Sequence, residues 1–143
     1  KQNTVDFSTL CEAITELKKY APLCFVIEDV HSIKGGRQGR VQATVWGHTI
    51  ATITNAFFCC GITPEYVTPK RWQDHFFKND KVYVRSKKGR VEHDTKESAK
   101  KAANKYYPNT DMSVSKRSSA HNHNVCDAFL IAMYIFRTKY LSK

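Results

Sequence analysis

The sequence predicts an α/β domain, and three observations carry that expectation. An almost unbroken apolar run, Leu23 to Val30, reads as a strand buried on both faces, and it ends in the acids Glu28 and Asp29. Segments with apolar residues at helical spacing flank it. A second short strand, Tyr66 to Thr68, leads straight into a helix start at Thr68-Pro69, where proline at the first helical position already has the φ a helix needs. The order helix, strand, helix, strand, helix, helix suits a partly parallel sheet with helices on its faces.

Lys1 to Asp6 is polar and predicts no element. Thr9 followed by Glu12 forms a capping-box pattern, and Leu10, Ala13, Ile14 and Leu17 then repeat at helical spacing to Tyr20. Pro22 ends that helix before the central strand. His31 to Arg40 is a glycine-rich basic loop. Val41 to Cys60 is rich in Val, Ile and Thr, but its length is too great for one strand. It is expected as a helix buried on most sides, with Gly47 admitting a close neighbour and Gly61 as its C-terminal stop. The helix opened by Pro69 runs to about Phe77. Lys81 to Arg90 is expected as a basic loop, and Asp94 with Glu97 caps the next helix, which Pro108 follows. Asn109 to Ala120 reads as a linker. A last helix from about Asn124 carries Ala128, Phe129, Ala132, Met133 and Phe136 at core spacing. With no internal repeat and no interior boundary in the pattern, residues 1–143 read as a single domain.

The charge is lopsided: 23 Lys and Arg against 13 Asp and Glu, a formal net charge of +10. Such a balance favours a polyanionic partner, nucleic acid above all, against the alternative of a merely basic soluble protein. Lys34, Arg37 and Arg40 beside the strand end, and Lys87, Lys88 and Arg90 further on, are the candidate DNA-backbone contacts. Five cysteines set among apolar residues suit buried thiols in a reducing, intracellular compartment better than a disulfide frame. No apolar stretch is long enough to span a bilayer.

Two acids stand out for chemistry. Glu28 closes the apolar strand and Asp127 opens the apolar segment Val125 to Phe136. Carboxylates gathered from a strand end and a helix start are what two-metal phosphodiester hydrolysis needs, and Mg²⁺ prefers such hard oxygen ligands. The bland alternative is that both are solvated surface acids. The cluster His121-Asn122-His123-Asn124-Val125-Cys126-Asp127 also admits a zinc reading through His121, His123 and Cys126. In the competing reading, a His four residues before the acid positions water, contacts phosphate or relays a proton.

Five motifs in order carry a resemblance. They are Val26-Ile27-Glu28-Asp29-Val30; a Gly/Arg loop opening a long helix; Val67-Thr68-Pro69-Lys70-Arg71-Trp72-Gln73; Asp94-Thr95-Lys96-Glu97; and His123-Asn124-Val125-Cys126-Asp127-Ala128. Together, from about Phe7 to Tyr134, the chain resembles the RuvC family of Holliday-junction resolvases in its phage and organellar branches. The resemblance implies an RNase H-like fold with a mixed sheet flanked by helices, a homodimer, and Mg²⁺-dependent nicking of four-way DNA junctions, with Mn²⁺ as a possible substitute metal. It matches Glu28 and Asp127 to family acids that hold metal. His123 or Asn124 stands where the family has another acid or a His. Lys70 and Lys96 match basic residues near the scissile phosphate. A host cytoplasm or an organelle is the compartment this branch implies.

The sequence departs from the family at its start. The family opens with a strand bearing Asp followed by glycines, whereas Asp6 is followed by Phe7 and Ser8. The expectation is that the first strands and the first catalytic acid lie outside these residues, so that the chain alone neither completes its sheet nor cleaves DNA. A catalytically silent RNase H-like module that binds nucleic acid or scaffolds an assembly is the alternative.

Overall fold

A computed structural model describes residues 5–20, 24–29, 40–86, 89–113 and 121–141, with side chains in the second helix from residue 44 onward. It is a mixed α/β structure. In chain order the elements are α1 (Phe7–Lys18), β1 (Val26–Glu28), α2 (Arg40–Cys59), β2 (Glu65–Val67), α3 (Pro69–Phe77), β3 (Tyr83–Arg85), β4 (Val91–His93), α4 (Thr95–Tyr106) and α5 (His123–Ile135). A π-helical stretch, Phe136–Leu141, continues α5. Two compact units divide the chain, Lys1–Tyr66 and Val67–Lys143.

In the first unit α1 begins two residues before the Thr9 expected to cap it. Asp6 is the N-cap, and its carboxylate accepts from the backbone N–H of Thr9 at 3.0 Å. A carboxylate at the N-cap satisfies an amide that has no helical partner, and this wins over the box that begins at Thr9. The hydrogen bonds from Thr9 hold the Asp6 carboxyl below its usual pKa. The helix ends at Lys18, while Pro22 and Leu23 lie outside the described residues.

Strand β1 is shorter and more open than expected. Its three residues are half-buried, and it pairs with β2 in a two-stranded sheet, the Glu65 N–H donating to Phe25 O at 2.8 Å. Phe25 and Ile27, two residues apart and so on one face, pack on a core of Ile14, Ala56 and Phe57. The Phe25 and Phe57 rings meet edge to face at 5.3 Å. By the same two-residue period, Val26 and Glu28 lie on the opposite face.

The long helix α2 forms as predicted despite its β-branched residues. Thr49 and Thr52 turn their hydroxyls back to Val45 O and His48 O at 2.9 and 2.8 Å, which satisfies them without leaving the helix. Gly61, at φ +68°, stops it: Ile62 N–H donates to Phe57 O and Gly61 N–H to Phe58 O, both at 2.9 Å. The expected burial on most sides is not found. One face, through Ile53, Ala56, Phe57 and Cys60, packs against Leu10, Cys11 and Ile14 of α1, whereas Trp46 and Phe58 are 48% and 64% exposed. Among the described residues nothing lies close to where a Cβ on Gly47 would stand, so the expected close neighbour is not found there.

The second unit holds the larger core: Trp72, Phe76 and Phe77 of α3, Ala99, Ala102 and Ala103 of α4, and Cys126, Leu130, Ile131 and Ile135 of α5. Three alanines on one face of α4 let it pack closely on α5. The burying face of α5 is turned from the expected one. Ala128 and Ala132 are exposed, because the residues facing α4 repeat from Cys126 through Leu130 rather than from Ala128. Its N-cap is Asn122, whose side chain accepts from Asn124 N–H and Val125 N–H.

The expected basic loop Lys81 to Arg90 is instead a hairpin. Strands β3 and β4 pair antiparallel, with Tyr83 opposite His93 and Arg85 opposite Val91, and Gly89 at φ +76° serves the turn. Charge hid the hairpin; its one-residue alternation is short and its faces are largely exposed. Ser98, fully buried, ties it to α4. Its hydroxyl accepts from Val82 N–H at 2.9 Å, donates to Asp94 O at 2.8 Å and bonds His93 Nε2 at 3.0 Å. Asp94 caps α4 as predicted, accepting from Lys96 N–H and Glu97 N–H.

Asp80 joins α3's end to α4 through Lys105 at 2.5 Å and Lys101 at 3.5 Å. The hydrogen bond from Lys105 is the main cause that holds its carboxyl below the usual range. A depressed carboxyl stabilises the fold above its unfolded pKa, and that contribution is lost as pH falls through the folded value. Asp80→Asn should therefore melt below wild type at neutral pH and converge with it in acid, as pH falls through the depressed pKa of the folded state. Melting curves from neutral to acid pH check this; a constant gap would overturn it.

Candidate active site

The two acids singled out by the sequence fall in different units. Glu28 is the last residue of β1, half-buried, and Asp127 sits one turn into α5 in the second unit. His123 opens α5 four residues before Asp127, so the two share a helix face, both half-buried. Asn124, next to His123, is exposed. Lys70 is exposed in the first turn of α3, after Pro69 and the N-cap residue Thr68, whose side chain makes no capping bond. Lys96 is exposed in the first turn of α4.

Lys100, one turn beyond Lys96, is the residue that sequence reasoning passed over. It is held by Glu97 at 2.7 Å, and that hydrogen bond, with the charges of Glu97, Cys126 and Asp94, raises its pKa against the opposing effect of burial. Cys126 is fully buried, and burial pushes its thiol up; Asp127 raises it further while Lys100 lowers it. An acid of α5 and a lysine of α4 thus act on the same thiol. The available signal was the spacing Lys96, Lys100, which places both on one face of α4.

Of the candidate DNA contacts, Arg90 is exposed beside the hairpin turn. Lys34, Arg37, Lys87 and Lys88 lie outside the described residues, as does the side chain of Arg40, the first residue of α2. The five cysteines are free thiols. Cys11 is raised by burial and by its hydrogen bond with Cys60.

The donor types suit a divalent cation, since carboxylate oxygens and an imidazole are hard or borderline ligands. Their number does not. Among the described residues no group of three or more His, Cys, Asp or Glu gathers to hold a metal. Glu28, Asp127, His123 and Asn124 thus do not by themselves make a two-ion site, and the zinc set of His121, His123 and Cys126 is not formed, Cys126 being packed into the core. No helix among the described residues is long and apolar enough to cross a membrane. No family model, curated protein or solved structure matches the chain.

Proposed function

We propose that the chain is an RNase H-like, RuvC-like endonuclease that nicks four-way DNA junctions as a homodimer. The observation that carries this reading is the placement of its two acids: Glu28 ends a strand, and Asp127 lies one helical turn after His123. A net charge of +10 suits a DNA substrate. In this reading Glu28 and Asp127 supply negative charge at the scissile phosphate's metal site and His123 moves a proton of the attacking water. Lys70 and Lys96 offset charge that develops on the phosphate. Dependence on Mg²⁺, or on Mn²⁺ in its place, needs at least one carboxylate more than these two.

The test takes the full-length protein and compares labelled four-way junction with linear duplex of the same sequence, with and without Mg²⁺. Paired, Mg²⁺-dependent nicks in the junction, with the duplex left intact, are expected. Equal cutting of both substrates would overturn junction selectivity. Binding without any nicking would overturn the enzyme and leave a silent nucleic-acid-binding module.

A further inference from the structure

On the second unit, a cavity of about 550 Å³ opens between α3 and the end of α5. Its lining is Arg71, Asp74, His75, Lys78, Lys81, Tyr134 and Thr138. Arg71, Asp74, His75 and Lys78 recur at three- and four-residue steps, so one face of α3 forms a wall. Tyr134 and Thr138 form the other, and the His75 ring meets Tyr134 edge to face at 5.4 Å.

Three permanent cations line this cavity against one carboxylate, Asp74. Asp80, between Lys78 and Lys81 in the chain, is the acid best placed by sequence to neutralise them. It is turned instead to Lys101 and Lys105 of α4. Among the described residues no ion pair engages Arg71, Lys78 or Lys81. The Thr138 hydroxyl already donates to Tyr134 O at 2.8 Å, so the donors left for a ligand are the three cations, His75 and the Tyr134 hydroxyl. Burial and the neighbouring Arg137 guanidinium hold His75 below the usual histidine pKa.

We infer that this groove binds phosphates of a nucleic-acid strand, with Arg71, Lys78 and Lys81 as the phosphate ligands. Guanidinium and ammonium donors facing one open cavity without acid partners match successive backbone phosphates. The volume, about 550 Å³, admits a nucleotide unit. The inference rests on the nucleic-acid reading above but names a groove whose phosphate ligands are none of the residues assigned to chemistry there.

The test titrates the protein with a short labelled oligothymidylate, a labelled four-way junction and a mononucleotide, between about 50 and 200 mM salt. In the triple variant Arg71→Ser, Lys78→Ser, Lys81→Ser, affinity for the oligothymidylate should fall at least about tenfold. The slope of log K against log salt should drop by about 2, at about 0.7 per phosphate contact on a single strand. Lys78→Arg with Lys81→Arg should retain affinity, and circular dichroism checks that each variant is folded. A triple variant that binds the oligothymidylate with wild-type affinity and slope overturns the groove, whatever happens to nicking. A mononucleotide that binds as tightly as the oligothymidylate overturns the strand in favour of a free nucleotide ligand. Groove-dependent strand binding by a protein that nicks no junction overturns the proposed activity and leaves the groove standing.

Discussion

In the full-length protein, Glu28→Gln and Asp127→Asn should each lower junction nicking by about 10²- to 10³-fold while junction binding stays measurable. Each exchange keeps the side chain's shape and replaces a carboxylate by an amide, which neither carries the negative charge that phosphodiester hydrolysis gathers nor takes up a proton. Binding rests on the basic surface instead, so gel shifts in Ca²⁺ should move little while nicking in Mg²⁺ collapses. Both side chains are only half-buried, so neither exchange opens a cavity in the core. His123→Ala should also lower nicking, by about 10²-fold or more, as loss of a positioned proton-transfer group does. Wild-type nicking rates in either acid variant would remove these residues from the active site.

The largest expected effects on stability lie in the second unit. Trp72 is 1% exposed and Phe77 fully buried, their rings edge to face at 5.4 Å. Trp72→Ala or Phe77→Ala should cost about 3–5 kcal/mol, from lost burial plus the cavity left behind. Against a domain stability of roughly 5–15 kcal/mol, that is enough to bring the unit close to unfolding. Phe58→Ala removes a ring that is already 64% exposed, and should cost no more than about 1 kcal/mol. Urea unfolding followed by circular dichroism and by tryptophan fluorescence separates these outcomes. A loss at Phe58 as large as that at Phe77 would mean that the exposed face of α2 is covered in solution, as the homodimer in the proposed function would allow.

The sequence by itself determined where chain direction and backbone chemistry are local. Asp94 caps α4 and Gly61 ends α2 because a carboxylate beside free amides and a residue able to take positive φ act within one turn. Pro69 opens α3 for the same kind of reason, and Glu28 closes β1 where the apolar run gives way to acids. The tertiary structure decided what depends on which residues meet. The hairpin of β3 and β4 forms in a stretch whose charge reads as loop, because Ser98 of α4 and its N-cap Asp94 supply the Val82 backbone with partners that lie 16 and 12 residues on. The inward face of α5 follows the alanines of α4, not its own periodicity, since a helix rich in apolar residues on all sides has no preferred face until a neighbour provides one. Likewise Lys78 and Lys81 became a cation pair over a groove only because Asp80, written between them, is drawn away by Lys105.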